Sequence, residues 1–438
     1  MDFIPNTKKD QDEMLKAIGA RNTSELFCDI PGDLRLKRDL NLPAALSELD
    51  LKRRMANLAQ KNRRALSFMG AGSYAHHIPS AVAHLIGRSE FYTAYTPYQP
   101  EISQGILQAI YEYQTMICRL TGMDVANASL YDGGTALAES VIMARRITGR
   151  SDIILSSAVH PHHRDVLKTY ADANDMRITE GKYDKSGRMS IDQIKDNPAA
   201  AVVVQSPNFF GVIEQISELK TALSPGTLLI VLVLEPTSLG LIRAPSEADI
   251  VVGEGQALGN PVSFGGPYLG FMATKTEHMR QIPGRLVGIT KDSEGKVGFI
   301  LTLQAREQHI RRDRATSNIC SNEALCALSA TIYLALAGMG LRDVANHSMQ
   351  KAHYALERLG QMGLEAEFSS CFYNEFVIRV PEAKKVCSRL IAEGIVPGLL
   401  LGHYYEELNN HILVCCTEMH TRKQIDKLAE AIKNAADI

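Results

Sequence analysis

Four polar motifs in this sequence carry side chains that could bind a ligand. Asp132-Gly133-Gly134-Thr135 opens a helical stretch, and two glycines with a hydroxyl at a helix N-terminus present N–H groups to an anion. Three further side chains, His160, Asn208 and Glu235, each follow an apolar run. At such a position the imidazole of His160 could stack on a planar ligand. Taken singly, each motif is weak evidence, and an ordinary glycine turn with Thr135 as helix cap explains the first motif better than an anion site does, so only their placement together indicates a site.

A metal site is the alternative for the histidines. His160-Pro161-His162-His163 brings three imidazoles together in the sequence, but Pro161 separates the first from the pair that begins a helix. The eight cysteines are scattered, and no two are spaced as Cys-x-x-Cys. We therefore expect no metal site, no disulfide scaffold and a reducing, cytoplasmic location.

Short apolar runs between helical stretches must position these motifs. The runs have no polar alternation and are too short for helices, which is typical of parallel strands covered on both faces. Because ligands bind at the carboxyl ends of such strands, we expect the motifs to share one edge of the sheet. The predicted strands are 153–155, 201–204, 228–234, 250–252 and 268–272, and the predicted helices before them are 104–120 and 135–148.

The pattern changes along the chain and divides it into four regions. The first is polar and helical, with a helix start at Thr7, and is expected to pack as an arm on another surface. The last is a smaller α+β domain whose final helix begins with a capping box at Thr421 and Gln424. The predicted regions are an arm (1–60), a large α/β domain (61–320), a linking core helix (321–343) and a small C-terminal α+β domain (344–438).

Composition excludes several classes of function. The chain has 438 residues, is 45% hydrophobic and carries a formal net charge of −2, which favours neither nucleic acid nor an anionic membrane as partner. Residues 324–341 are uncharged, but they are rich in Ala, Ser, Thr and Gly, begin after Ser321-Asn322-Glu323 and end near Gly338. This segment is predicted to be a buried core helix and not a membrane span. Residues 1–10 lack the pattern of a secretory signal.

The order of the four motifs is that of a pyridoxal phosphate (PLP) dependent transferase of fold type I. In that order a Schiff-base lysine follows the carboxylate after one more strand, but no lysine lies between Lys220 and Lys275. Gln256 stands near the expected position, and Lys275 comes beyond the next strand. The carboxylate itself, Glu235, stands where these enzymes normally have aspartate. The sequence therefore predicts the fold of a PLP enzyme without its catalytic lysine.

Longer segments resemble one family. The chain is similar to subunit 1, the N-terminal or alpha subunit, of the two-subunit glycine cleavage system P-protein, a glycine dehydrogenase (aminomethyl-transferring, decarboxylating). The likeness covers nearly the whole chain. The segments that carry it are 91–105 (FYTAYTPYQPEISQG), 124–133 (DVANASLYDG), 251–256 (VVGEGQ) and 306–312 (REQHIRR) with 317–320 (SNIC).

The resemblance implies a divided enzyme. Subunit 2 would bind PLP covalently, and the complex, with two of each subunit, would decarboxylate glycine, release CO2 and transfer the aminomethyl group to the lipoyl-lysine of H-protein. This chain would contain no catalytic residue and would be inactive alone. Its pocket positions would be vestigial, namely Gly133, Gly134, Thr135, His160, Asn208, Glu235 and Gln256. The stiff polar-aromatic segment with Tyr95, Thr96 and Tyr98 would form a wall of the partner's site, although core packing accounts for it equally well.

Two other functions stay open at this point. The chain could be an independent PLP enzyme of cysteine desulfurase or aminotransferase type that uses an unexpected lysine such as Lys275. It could also be a non-catalytic scaffold with no part in an active site. A spectrum of the purified chain separates an independent PLP enzyme from the other two possibilities. Co-purification with a partner and restored activity separate the divided enzyme from a scaffold.

Overall fold

A computed structural model describes residues 5–62, 65–319 and 323–436. It divides the chain into two compact units, residues 1–63 and residues 64–438. The first unit contains the helices α1 (Lys8–Ala17) and α2 (Glu48–Gln60). The helix start predicted at Thr7 is observed, and it takes the form of a capping box in which Thr7 Oγ1 accepts from Asp10 N and Thr7 N donates to Asp10 Oδ2. Residues 1–4, which carry part of the argument against a secretory signal, lie outside the described residues.

A seven-stranded sheet forms the centre of the second unit, in the order β2-β8-β7-β6-β5-β3-β4. The strands β3 to β7 are parallel to one another, whereas β8 is antiparallel to β7 and β2 is antiparallel to β8. The mainly parallel sheet is the one predicted. Its strands are β2 (Val125–Ala126), β3 (Asp152–Ser156), β4 (Arg177–Gly181), β5 (Ala201–Gln205), β6 (Leu228–Val233), β7 (Ile250–Glu254) and β8 (Gly270–Thr274).

Helices cover both faces of this sheet. Val202 and Val231 point into one buried cluster, and Val203 and Ile230 point into the other, because side chains alternate along a strand. Fully buried strands need apolar residues at every position, which explains their unbroken apolar runs. The helices of this region are α3 (Ser80–Ile86), α4 (Ser89–Tyr92), α5 (Gln104–Thr121), α6 (Gly133–Thr148), α7 (Pro161–Ala173), α8 (Ile216–Ala222) and α9 (Gln308–Arg311).

A second, three-stranded sheet lies in the C-terminal part of the unit, in the order β11-β14-β13. The last helix begins with the predicted capping box, in which Thr421 N donates to Gln424 Oε1 at 2.8 Å and Gln424 N donates to Thr421 Oγ1 at 3.3 Å. The remaining elements are β1 (Leu66–Ser67), β9 (Leu286–Lys291), β10 (Val297–Thr302), α10 (Ala324–Ala337), α11 (Leu341–Gly360), β11 (Glu375–Arg379), α12 (Ala383–Ala392), β12 (Ile395–Val396), β13 (Leu399–Leu400), β14 (His411–Cys415) and α13 (Arg422–Ala436).

One helical stretch among the described residues, Ala324–Gly360, contains an 18-residue window that is long and apolar enough to cross a membrane, with a mean hydropathy of 1.8. Its first helix, α10, packs Ala327, Ala330 and Tyr333 into the main core, as a buried core helix would. The predicted start at Ser321 and Asn322 lies outside the described residues, as does Cys320. The division of residues 64–438 into a large domain, a linking helix and a small domain stays a prediction.

Candidate functional site

The four motifs meet at one edge of the central sheet. His160 follows β3, Asn208 follows β5, Glu235 follows β6 and Gln256 follows β7, and these strands run parallel in register. Their carboxyl ends therefore share an edge, where ligands bind in open α/β sheets. The helix α6 begins at the same edge, since Gly133 N bonds to Glu254 at the end of β7.

The N-terminus of α6 is already occupied by side chains of this chain. Gly133 N donates to Glu254 Oε2 at 3.0 Å, and Thr135 N donates to Asp132 Oδ1 at 2.7 Å. A Cβ on Gly133 would lie 3.1 Å from His163 Nε2, so His163 packs closely against the first turn. Glu254 also accepts from two further backbone N–H groups, and burial raises its pKa to about 7. A carboxyl group thus takes the place that an external anion would need.

His160 is a neutral, packed imidazole. Burial, together with the charge of His163, lowers the pKa of His160 to about 3. Its Nδ1 accepts from His162 N at 3.2 Å, so Nε2 carries the proton and donates to Ala71 O at 2.9 Å. The ring contacts Phe209 edge-on, with centroids 4.8 Å apart. Both ring nitrogens are therefore engaged within the chain.

Asn208 organises the turn after β5. Its Nδ2 donates to Gly187 O at 2.7 Å and to Glu214 Oε1 at 2.9 Å. Its Oδ1 accepts from the backbone of Phe210 and Val212 at 3.0 and 3.2 Å. Since both donors and both lone pairs of the amide are used, Asn208 has nothing left for a ligand.

Glu235 is part of a buried charge cluster that the sequence did not predict. Its Oε1 accepts from Thr237 N at 3.0 Å, and its Oε2 lies 3.0 Å from His76 Nε2. The other nitrogen of His76, Nδ1, lies 2.7 Å from Glu418 Oε2. Burial lowers the pKa of His76, but the two carboxylates raise it to about 10 overall. His76 is therefore an imidazolium held between two carboxylates.

Gln256 ties the loop after β7 to the backbone of Tyr74. Its Oε1 accepts from Tyr74 N at 2.9 Å, and its Nε2 donates to Tyr74 O at 3.0 Å and to Asn260 O at 2.7 Å. The hydroxyl of Tyr74 donates in turn to Glu375 Oε2 at 2.7 Å. Burial raises the pKa of Glu375 to about 7.

Residues 71–76, called here the crossing segment, close the pocket. The segment bonds to His160 through Ala71, to Gln256 through Tyr74 and to Glu235 through His76. PLP needs an anion site at a helix N-terminus, a free carboxylate for its ring nitrogen and a lysine. Here Glu254 bonds to the N-terminus of α6, His76 bonds to the carboxylate of Glu235, and the loop after β7 contains Gln256 and no lysine. The residues of this edge therefore do not fit PLP.

Lys275 lies at the opposite edge of the sheet. Strand β8 is antiparallel to β7 and pairs Thr274 with Ile250, at the beginning of β7. The ammonium of Lys275 lies 3.4 Å from Asp249 Oδ1. Since the five residues of β7 span about 13 Å, this lysine is far from the carboxyl ends of the strands. Lys275 is therefore too far away to be a Schiff-base lysine for the pocket.

The described residues contain no group of three His, Cys, Asp or Glu side chains that could hold a metal ion.

The aromatic segment 91–105 lies at the surface. The side chain of Tyr95 is 80% exposed, that of Tyr98 is 44% exposed and Thr96 is half-buried. Arg285 Nη2 donates to the Tyr98 hydroxyl at 3.3 Å, and the Tyr98 ring lies against His309 with centroids 5.1 Å apart. Tyr98 is thus positioned by this chain, whereas Tyr95 projects into solvent.

Three pocket residues were not predicted from the sequence: His76, Glu254 and Glu418. Glu254 lies two residues beyond the predicted strand 250–252 and is the last residue of the observed β7, where every position is buried. A carboxyl group next to such an apolar run is an informative signal. His76 follows a glycine-containing stretch, Gly70-Ala71-Gly72-Ser73-Tyr74, whose sequence matches neither a strand nor a helix pattern. Glu418 is 342 residues from His76 in the sequence, and nothing in the sequence pairs them.

Comparison with known proteins identifies the family. The family model of the glycine cleavage system P-protein matches residues 1–432. The chain belongs to the glycine cleavage system P-protein family. A probable glycine dehydrogenase (decarboxylating) subunit 1 from Desulforamulus reducens is 52% identical over 440 residues, 98% of each chain. A protein of the same name from Moorella thermoacetica is 50% identical over 441 residues, 99% of each chain.

Solved structures agree with the P-protein family and the predicted fold. A crystal structure of glycine decarboxylase (P-protein) of the glycine cleavage system, in inhibitor-bound form, matches with a TM-score of 0.91 and 42% identity over 99% of this chain and 100% of that one. An aspartate aminotransferase from Thermus thermophilus, at 12% identity and a TM-score of 0.59, covers 85% of this chain and 99% of its own, and shows the fold alone. The predicted resemblance and the fold type I architecture are confirmed. The P-protein family implies PLP in the complex, and the designation subunit 1 implies a second subunit.

Proposed function

We propose that this P-protein subunit completes the active site of a homologous, PLP-bearing subunit 2 and holds no cofactor itself. The observation that carries the proposal is the closed pocket, in which Glu254, His76 and Gln256 occupy the positions that PLP would need. This chain has the fold of a PLP enzyme, but its own side chains fill the pocket. The simplest explanation is that it contributes one half of an active site shared with a second subunit. Its relatives' names supply the reaction class, glycine dehydrogenase (decarboxylating).

In the proposed complex, glycine loses CO2 and its aminomethyl group passes to the lipoyl-lysine of H-protein. PLP, held by a lysine of subunit 2, would supply an acceptor for the electrons released when CO2 leaves. This chain supplies a wall formed by Tyr95, Thr96 and Tyr98. Tyrosine side chains suit that task because the ring excludes water while the hydroxyl can hydrogen-bond the lipoyl amide.

The assembly is proposed to contain two copies of each subunit in the cytoplasm. Fold type I enzymes commonly place their sites at a dimer interface, so two different subunits would form paired interfaces. The described cysteines are free, which suits a reducing compartment. The stiffness of the wall supports its role, since Pro97 and Pro100 fix the backbone on either side of Tyr98.

We expect no covalent PLP on this chain, even when a lysine is restored. After PLP and borohydride treatment, a digest of the wild-type chain should yield no stoichiometric pyridoxyl-lysine peptide. Gln256→Lys should behave in the same way, because His76 and Glu254 still occupy the pocket. A stoichiometric adduct in the wild-type chain would contradict both the closed pocket and the proposed division of labour.

We expect a stable complex with subunit 2. Size-exclusion chromatography at micromolar concentration should show the two chains eluting together, since a shared active site requires a specific interface of at least about 1,000 Å². Glycine–CO2 exchange should require both chains. Separate elution, or full exchange activity with subunit 2 alone, would leave this chain as a scaffold and overturn the proposal.

We expect Tyr95→Phe and Tyr98→Phe to reduce glycine–CO2 exchange about tenfold in the complex, which corresponds to ~1.4 kcal/mol of transition-state stabilisation. The melting temperature of each variant should stay unchanged, because both side chains are exposed in this chain. A matched control is Tyr354→Phe, at a position far from the aromatic segment in the sequence. The Tyr354 hydroxyl donates to Asp426 Oδ1 at 2.7 Å. Unchanged exchange in both variants would mean that the segment has only a packing role and forms no part of the partner's site.

A further inference from the structure

The motif Arg306-Glu307-Gln308-His309 lies beside the aromatic segment, where the His309 ring contacts that of Tyr98. Arg306 and Glu307 form an ion pair, with Nη1 and Oε1 3.0 Å apart and side chains only 9% and 11% exposed. Desolvation largely offsets the attraction within a buried pair, so such a pair adds little net stability. Its main effect is on the positions of the groups around it.

The ion pair holds the position of Arg285, which directly precedes β9. Arg306 Nη2 donates to Gly284 O at 2.7 Å, one residue before Arg285. On the other side, Ala128 N donates to Arg285 O at 2.8 Å. Burial raises the pKa of Glu307, and the charges of three basic neighbours, Arg285 among them, oppose that rise. Arg285 is therefore fixed by its main chain and attracted by a carboxylate.

Arg285 in turn contacts Tyr98 in two ways. Its Nη2 donates to the Tyr98 hydroxyl at 3.3 Å, and its Cζ lies 5.7 Å from the centroid of the ring. The His309 ring contacts the same ring, with centroids 5.1 Å apart and an interplanar angle of 57°. His309 is placed by Gln304, whose Oε1 lies 3.2 Å from His309 Nε2. Two basic side chains thus hold the Tyr98 ring.

The direction of the bond from Arg285 decides what the Tyr98 hydroxyl can offer. A guanidinium only donates, so the hydroxyl oxygen is the acceptor. Within the described part of the chain, this hydroxyl donates to no other group. Its proton is therefore left for an acceptor outside the chain, and a bond accepted from a cation makes the hydroxyl a stronger donor.

We propose that Arg285 is a positioning residue for the shared active site. Held by the Arg306–Glu307 pair, it fixes the ring of Tyr98 and leaves the hydroxyl proton for an acceptor in the partner's site. The inference rests on the proposed function, which places Tyr98 in a wall of that site.

The first test uses the isolated full-length chain labelled with fluorotyrosine. In fluorine NMR, the Tyr98 signal is assigned by its loss in Tyr98→Phe. Arg285→Gln and Glu307→Gln should each move this signal towards that of the urea-unfolded chain, because the ring loses contacts that hold it, while the other tyrosine signals show that the chain is folded. An unchanged Tyr98 signal in Arg285→Gln would overturn the proposal, whether or not subunit 2 binds.

The second test is a double-mutant cycle on glycine–CO2 exchange in the complex. Arg285→Gln should lower exchange about fivefold, as expected for one hydrogen bond. Combined with Tyr98→Phe, it should add no further loss, because Arg285 acts through the hydroxyl that Tyr98→Phe removes. Losses that multiply in the double variant would overturn the proposal. Full exchange without this chain would instead contradict the proposed function.

Arg164→Gln is the matched control. Arg164 lies over the ring of Tyr405, with Cζ 5.6 Å from the centroid, and pairs with Glu180 at 3.2 Å. The variant removes the same kind of guanidinium from a tyrosine outside the wall, so exchange and the Tyr98 signal should stay unchanged. An equal loss of exchange in Arg164→Gln and Arg285→Gln would mean that both act through general destabilisation, which contradicts a positioning role.

Discussion

Replacing His76 with alanine is expected to lower the free energy of unfolding by about 3–5 kcal/mol. The imidazolium separates Glu235 and Glu418, and its side chain is only 1% exposed. Without it, two carboxylates face each other in a buried space with no positive charge between them. Removing one member of a buried ion pair costs more than the pair itself contributes, because the remaining charge stays desolvated. Denaturant unfolding of the purified chain measures the loss.

The neighbouring histidine provides the control. His77 is exposed, and only its backbone N–H contacts Glu418, at 2.6 Å to Oε1. His77→Ala keeps that backbone bond and should change stability by no more than about 0.5 kcal/mol. A loss below ~1 kcal/mol in His76→Ala would mean that the cluster is solvated and that the pocket is open.

Stability should also fall steeply between pH 7 and 9. Burial lowers the pKa of His76, but Glu235 and Glu418 raise it from 6.5 to about 10 in the folded chain. The stabilisation is complete below pH 6.5 and is lost as the pH rises toward 10. In this range the folded state holds nearly one more proton than the unfolded state, so stability falls by about 1.4 kcal/mol per pH unit.

The comparison that isolates this effect is His76→Gln, which cannot titrate. Its unfolding free energy, measured at pH 7 and 9, should show a slope shallower than that of wild type by about 1.4 kcal/mol per pH unit. NMR titration of the wild-type imidazole follows the same proton directly. A normal titration near pH 6.5, or identical slopes in the two proteins, would contradict an imidazolium between the carboxylates.

The sheet was predictable because strands that are buried on both faces show a recognisable pattern in the local sequence. Ala201 to Val204 and Leu228 to Val233 are apolar at every position, and short runs of this kind are typical of strands buried on both faces. The edge strand β4 was missed because it is mostly exposed and reads Arg-Ile-Thr-Glu-Gly. The run predicted at 268–272 is β8, which begins two residues later and is antiparallel, since apolar runs give no strand direction.

The candidate site was predictable only as far as strand order determines it. His160, Asn208, Glu235 and Gln256 share an edge because parallel strands end together. What those side chains bind was not predictable, since their partners come from distant positions. The Gln256 amide bonds to Tyr74, 182 residues earlier, and such a contact depends on the whole fold. Lys275 is an example of what could not be predicted. It lies at the opposite edge of the sheet because β8 is antiparallel to β7, and the local sequence does not encode the direction of a strand.

The carboxyl group of Glu254 at the start of α6 has a consequence for how this chain behaves before assembly. A dissociable ligand stabilises a fold according to its free concentration, so an enzyme built around a cofactor becomes less stable when that cofactor is scarce. Here the group at the helix N-terminus is part of the polypeptide and cannot diffuse away. If PLP binds only to subunit 2, as proposed, the stability of this chain does not depend on the PLP concentration, and the chain can stay folded before its partner binds the cofactor.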